Sequence, residues 1–269
     1  MKEFLKHLKL HDYSKGTIDT YYYALKQWKE RYKDFEMNRE RLIDYKHWLM
    51  ETMKPRSVNG RLNAINRYLE WLNKKELKLD GIKVQTCSFQ DNVISQADYN
   101  YLKRQLKKDK DYEGYFLIRL LCGTGARVSE FIKIKIEDIK LGYFDIYGKG
   151  YKHRRIYIPS KIRHEIVTWL EKEGRSSGPL FISKKTGLGI SKEIIKNKLF
   201  YYSDKYKIDR KVMHPHSFRH RFAKNFVEKE KDIALLADLM GHQSIETTRI
   251  YLKRTSTEQQ DIVDKVVDW

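Results

Sequence analysis

The chain has 269 residues, with 55 Lys+Arg against 36 Asp+Glu and a formal charge of +19. Its 41% hydrophobic and 13% aromatic content supplies cores for one or two domains and excludes a disordered basic tail. No apolar run reaches the roughly 18 residues of a membrane span, and the isolated Cys87 and Cys122 build neither a disulfide framework nor a zinc site. An N-terminus broken by charges every few residues does not read as a secretory signal, so the expected setting is cytoplasmic. A positive excess of this size points to a polyanion as partner.

Only 4 Pro and 14 Gly interrupt the chain, which favours a mainly helical fold. Residues 1–80 read as helices. In one, Ser14 and Thr17 are candidate caps, with Ile18, Leu25 and Trp28 at helical spacing. A second is predicted over Arg39–Thr52, with Leu42, Tyr45 and Leu49 along one face. Lys54 and Pro55 then break the pattern, and Ser57 is the predicted cap of a helix whose apolar stripe is Val58, Leu62, Ile65, Leu69 and Leu72. Its opposite face carries Asn59, Arg61, Asn63, Asn66 and Arg67. Residues 81–93 lose the period and read as a linker between a helical domain, 1–80, and a second domain, 94–269.

In the second domain a helix starts near Ile94, and YEGYFLIRLLCGTGARVSEFIKI reads as helix, glycine break and helix. YFDIYGKGYKHRRIYIP alternates β-branched and aromatic residues around a Gly-Lys-Gly turn, predicting a hairpin that ends at Pro159. Helices follow at about 161–172 and 191–206, then from Pro215, over DIALLADLM up to Gly241, and over SIETTRIYLKR. The fold class is therefore mainly α with a small antiparallel β-sheet in the C-terminal domain.

Three clusters carry chemistry. Arg127 and Glu130 lie at i, i+3 just past a glycine turn; His216 and Arg219 repeat that spacing after Pro215; His242 follows the Gly241 stop, with Tyr251 nine residues on. Two guanidiniums can hold both non-bridging oxygens of a phosphodiester and offset the charge of a pentavalent transition state. Imidazoles can move protons at neutral pH, and a hairpin-tip lysine such as Lys149 can protonate a leaving alkoxide. Tyrosine, with a free pKa of about 10, becomes a usable nucleophile beside several cations. No carboxylate cluster suited to a metal pair is visible, so the expected cofactor set is empty of metal and nucleotide.

Together, Gly125-Ala126-Arg127-Val128-Ser129-Glu130, Gly148-Lys149-Gly150, His216-Ser217-Phe218-Arg219-His220 and Leu239-Met240-Gly241-His242 running to Tyr251 resemble the signature of the tyrosine recombinase (phage integrase) family, in its two-domain Xer-like form. The motifs span about residues 93–255, in the family's order and spacing. The resemblance implies that Arg127 and Arg219 clamp the scissile phosphate and that Lys149 is the general acid, with Lys152 three residues on as the alternative. It further implies that His216 assists proton transfer, His242 hydrogen-bonds the phosphate, Tyr251 forms a 3′-phosphotyrosyl link and Glu130 orients the site. Ala126 departs from the family, which usually has a larger aliphatic residue there. The first domain is similar to the family's core-binding domain, and its expected DNA contacts are Lys15, Thr17, Arg56, Asn59, Arg61, Asn63 and Arg67, joined by Lys152 and Arg154 from the hairpin. His214 and His220 are expected to be structural.

An apolar stripe of Ile262, Val263, Val266, Val267 and Trp269 ends the chain. By the resemblance, this helix reaches into a neighbouring protomer, giving a homotetramer on DNA from a free monomer or dimer. The expected partner is double-stranded DNA with short inverted half-sites, with accessory proteins compatible and no membrane. The expected function is site-specific recombination in integration, excision or a related rearrangement of a mobile element. The competing readings are a type IB topoisomerase-like relaxing enzyme and a catalytically silent DNA-binding protein. Residues 1–81 hold 18 Lys+Arg against 12 Asp+Glu, and the remainder 37 against 24. Both halves are thus basic, as a clamp on DNA requires.

Overall fold

The structure, a computed structural model, describes residues 1–84, 92–147, 153–241, 248 and 256–267. Its Cα packing divides the chain into two compact units, Met1–Thr86 and Cys87–Trp269.

The first unit consists of α1 (Lys2–Leu10), α2 (Lys15–Tyr32), α3 (Arg39–Thr52) and α4 (Pro55–Trp71), followed by a 3₁₀ turn at Lys75–Leu77. Local signals set the helix starts. Ser14 Oγ accepts from the Thr17 N–H at 3.2 Å, and Asn38 Oδ1 from the Arg41 N–H at 3.0 Å. Ser57 is not the cap of α4. Lys54, held extended because a proline follows it, takes that position, and Pro55 fills the first helical position, where its missing N–H costs nothing. Phe4, Leu8, Leu25, Trp28, Leu42, Tyr45, Leu49, Val58, Leu62, Ile65 and Leu69 fill the core.

The polar side of α4 has a structural use. The Asn59 carboxamide exchanges two hydrogen bonds with the Ile82 backbone (2.8 and 2.9 Å), and Asn66 does the same with Leu79 (2.8 and 3.0 Å). Two asparagines two turns apart thereby strap the outgoing chain along the helix.

In the second unit α5 (Gln96–Lys108) is followed by α6 (Tyr112–Thr124), which is buried on all sides from Gly114 to Cys122, as a nearly all-apolar helix must be, with Arg119 inside that stretch paired to Glu165. It packs against α5, α9 (Ser160–Lys172) and α11 (Pro215–Glu230). The predicted second helix of the glycine-break segment shrinks to one turn, α7 (Val128–Phe131). Residues 134–136 leave it to exchange backbone hydrogen bonds with Gly178 and Leu180 (2.9 and 3.0 Å), after which the unforeseen α8 (Ile136–Leu141) forms.

Strands β1 (Tyr143–Tyr147) and β2 (His153–Tyr157) pair antiparallel, with Phe144 opposite Ile156 and Ile146 opposite Arg154. Phe144 and Ile156 are buried while Tyr147 and Tyr157 are exposed. Arg154, two residues before Ile156, therefore shares the inner face. After α9 come α10 (Lys192–Tyr206), α11, α12 (Ile233–Met240) and α13 (Ser256–Val266). The helix expected from SIETTRIYLKR lies outside the described residues except for the buried Thr248. Val263, Val266 and Val267, at the end of the chain, are exposed. Among the described residues no helix is long and apolar enough to cross a membrane.

Gly125, which caps α6 with φ +60°, has no room for a side chain: an added Cβ would lie 2.5 Å from the Phe222 ring. Gly125→Ala should destabilise the protein by about 2–4 kcal/mol, from the left-handed backbone and the displaced ring together. Urea unfolding measures this, and a change below about 0.5 kcal/mol would contradict it.

Candidate active site

The site grows from the C-terminal end of α12. A helix leaves its last carbonyls without intrahelical partners, and they carry the negative end of its dipole. Here Gly241 turns the chain at φ +63°, and three successive carbonyls each receive one arginine. Leu239 O accepts from Arg154 Nη1 at 3.3 Å, Met240 O from Arg219 Nη2 at 2.7 Å, and Gly241 O from Arg127 Nη2 at 2.9 Å. Arg219 Nη1 also donates to Gly125 O at 2.6 Å, so the two glycine turns meet through one guanidinium.

Arg127 sits before the first turn of α7, not within a helix. Its own N–H donates to Glu130 Oε2 at 2.8 Å and its Nη1 to Oε1 at 3.1 Å. The same carboxylate pairs with Arg154 Nη2. The i, i+3 spacing of Arg127 and Glu130 is thus a helix start in which the acid at the third position reaches back to the cap, holding the arginine side chain as well. Arg127 keeps 39% of its side chain exposed, whereas Glu130 and Arg154 keep 12% each. Of these three side chains Arg127 is the most open to an incoming anion.

On α11, His214 caps the helix through Nδ1, which accepts from the Ser217 N–H at 3.2 Å. His216 stays accessible at one edge, while the protein packed around its ring and the Arg219 and Arg127 charges push it below its ordinary value. It is a neutral imidazole beside two cations, able to accept a proton and then to donate it. His220 is driven down to about 4 by burial, and further by His216, His214, Arg219 and Lys224. Burial, partly offset by Glu130 and reinforced by Arg219 and Arg127, brings Arg154 down to about 10, still cationic at neutral pH. The other side of α11 anchors the entry to this unit: Ser217 Oγ accepts from the Ile94 N–H and Arg221 Nε donates to Ile94 O, both at 2.7 Å.

The structure therefore brings together Arg127, Glu130 and Arg219, with His216 beside them. Lys149, Lys152, His242 and Tyr251 lie outside the described residues. Arg154, expected on the DNA backbone, is turned inward by strand parity and belongs to the arginine cluster. The signal for this was its two-residue spacing from Ile156. In the first unit Lys15, Arg56 and Asn63 are exposed and Arg61 is partly buried. The Thr17 hydroxyl bonds Ser14 Oγ at 2.9 Å, Arg67 pairs with Glu70 at 2.5 Å, and the Asn59 carboxamide is engaged by Ile82. Among the described residues no three His, Cys, Asp or Glu side chains converge on a common metal position.

Residues 92–258 match the phage integrase family. The chain is 31% identical to tyrosine recombinase XerA of Pyrococcus furiosus over 98% of its own length and 93% of that protein. It is 27% identical to the TnP I resolvase of Bacillus thuringiensis over 98% of each. In fold it is similar to the XerH site-specific recombinase bound to its difH substrate, with TM-score 0.70, 18% identity, and 92% and 78% of the two chains covered. The chain belongs to the phage integrase family of tyrosine recombinases, and it is a site-specific recombinase.

The histidine cluster gives the protein a pH signature. His220, near 4 when folded and near 6.5 when unfolded, takes up a proton first in the unfolded chain. Its contribution is neutral above 6.5 and destabilising as pH falls from 6.5 to 4, by roughly 3 kcal/mol in total. Stability against urea should fall over that window, and less steeply in His220→Gln. An equal slope in both proteins would contradict the assignment.

Proposed function

We propose that this recombinase holds the scissile phosphate of duplex DNA on Arg127 and Arg219, within the arginine cluster at the end of α12, and cuts it with Tyr251. The observation that carries the reading is the gathering of Arg127, Arg219 and Arg154 on three consecutive carbonyls, with Arg127 open to an anion. Guanidiniums fixed in this way are donors already aimed before the substrate arrives, which is where electrostatic catalysis gains most.

In the reaction, the Tyr251 oxygen attacks phosphorus as its proton passes to the neutral His216 imidazole. The bond to the 5′-oxygen breaks, and Lys149 supplies that oxygen's proton, with Lys152 as the nearest substitute. Arg127 and Arg219 carry the charge on the non-bridging oxygens, and His216 and His242 donate to them or relay protons. Glu130 orients Arg127. The 3′-phosphotyrosyl ester keeps the bond energy, so a 5′-hydroxyl from a partner strand can reverse the step without a metal or nucleotide. In this reading residues 1–80 form the core-binding domain, 81–93 the linker and 94–269 the catalytic domain. Lys15, Thr17, Arg56, Arg61, Asn63 and the exposed Arg67 are the contacts of the first domain, while the Asn59 carboxamide is committed to Ile82.

Duplex DNA with inverted half-sites is the partner, a reading supported by the capture of the similarly folded XerH recombinase on its difH substrate. The exposed Val263, Val266 and Val267 suit a helix that docks on a second copy, closing a tetramer on DNA. The enzyme would act in the cytoplasm, on the nucleoid.

The test starts from inverted-repeat duplexes selected by the wild-type protein from a randomised pool, each then nicked beside the cleavage point to trap the intermediate. Wild type should form a covalent adduct, Tyr251→Phe none, and Arg127→Ala should cleave about 100- to 1,000-fold more slowly. An adduct that persists in Tyr251→Phe would overturn the assignment, and relaxation of any supercoiled plasmid without site preference would favour the topoisomerase-like reading. Affinity should also fall steeply with salt, by roughly 0.9 in log K per log unit for each phosphate neutralised, and a flat dependence would contradict phosphate contacts by these basic residues.

A further inference from the structure

We propose that Arg154 is a positioning residue of the recombination site, holding Glu130 and the Gly241 turn so that Arg127 faces the phosphate. The inference rests on the reading of the site given above. It starts from strand parity: β2 turns Arg154 inward with Ile156, opposite Ile146. There Nη2 pairs with Glu130 Oε2 and Nη1 donates to Leu239 O. The side chain also forms the floor under Gly241, because an added Cβ there would lie 2.5 Å from Arg154 Cδ and 2.7 Å from Nη1. Arg154 Nε is buried with no hydrogen-bond partner among the described residues. The group is held by its two Nη contacts and by packing.

Two consequences follow. Glu130 Oε2 is shared between the Arg127 N–H and Arg154, which leaves only Oε1 for the Arg127 guanidinium. Without Arg154 that carboxylate turns to Arg127 with both oxygens, the favoured forked geometry, and draws Nη2 away from Gly241 O. Secondly, in sequence β2 begins four residues after Lys149, and Gly241 directly precedes His242. One side chain therefore ties the strand leading from the general acid to the turn leading to a phosphate donor. Arg154 touches neither the phosphate nor a reacting atom; it acts through Glu130 and the backbone.

The experiment compares wild type, Arg154→Lys, Arg154→Met, Glu130→Gln and the Arg154→Met/Glu130→Gln double variant, all full-length, on the selected nicked duplex. Arg154→Met should bind DNA within about threefold of wild type while its single-turnover cleavage falls about 100-fold, a loss on the scale of a misplaced catalytic group. Arg154→Lys, which keeps the charge, should recover about tenfold of that loss. Because Arg154 acts through Glu130, the double variant should be about as slow as the slower single variant, a coupling that a merely structural role does not produce. Wild-type cleavage by Arg154→Met, a loss of DNA binding equal to the loss of cleavage, or multiplicative losses in the double variant would overturn the inference. Should Arg154→Met fail to fold, the ratio of cleavage to binding in Arg154→Lys decides by the same criteria. Absence of any adduct with wild-type protein would instead overturn the reading of the site, and this inference with it.

Discussion

The site depends on one constraint: the carbonyls at the end of α12 must be satisfied, and three arginines from distant parts of the chain satisfy them. Arg127 comes from the turn after α6, Arg154 from β2 and Arg219 from α11. A helix C-terminus is a natural seat for cations, since its free carbonyls and dipole both favour positive charge. Gathering three guanidiniums is otherwise costly through mutual repulsion and lost hydration. The carbonyls and Glu130 lower that cost in the free protein without consuming every donor. In the proposed reaction a phosphodiester completes an arrangement that already exists, and little reorganisation remains for the chemistry itself.

The rest of the unit serves that arrangement. Buried α6 fixes where Gly125 turns, and Gly125 has to be glycine because its φ is positive and Phe222 fills the space where a side chain would go. Gly241 meets the same condition against Arg154. Helix α11 works on two sides, with Arg219 and His216 toward the cluster and Ser217 and Arg221 clamping both backbone groups of Ile94. The residues of HSFRHR thus divide into those that face the arginine cluster and those that fix the helix bearing them.

Much of this was legible in the sequence, for physical reasons. Helix limits such as Arg39–Thr52 follow from periodicity plus caps, and Arg127, Glu130, Arg219 and His216 were singled out by spacing and by motif order. What failed were features decided by partners far along the chain. Ser57 looked like a cap because its chemistry is right, but Pro55 starts α4 earlier. The helix after Gly125 ends after one turn because residues 134–136 find backbone partners near Gly178. Arg154 read as a DNA contact because a basic hairpin suggests one, whereas parity with Ile156 buries it. Asn59 looked like a base reader until Ile82 took its carboxamide. A single sequence does not say which polar side chain a distant backbone will claim.

The Arg219 guanidinium is locked on backbone carbonyls before DNA binds. Side-chain ¹⁵N–¹H spectra of the DNA-free protein test it directly. Arg219, anchored on Gly125 O and Met240 O, should show separate signals for its two Nη groups and slow exchange with water. A single averaged, fast-exchanging Arg219 signal that sharpens into separate resonances only when DNA is added would mean that the substrate builds the site, and would contradict the account.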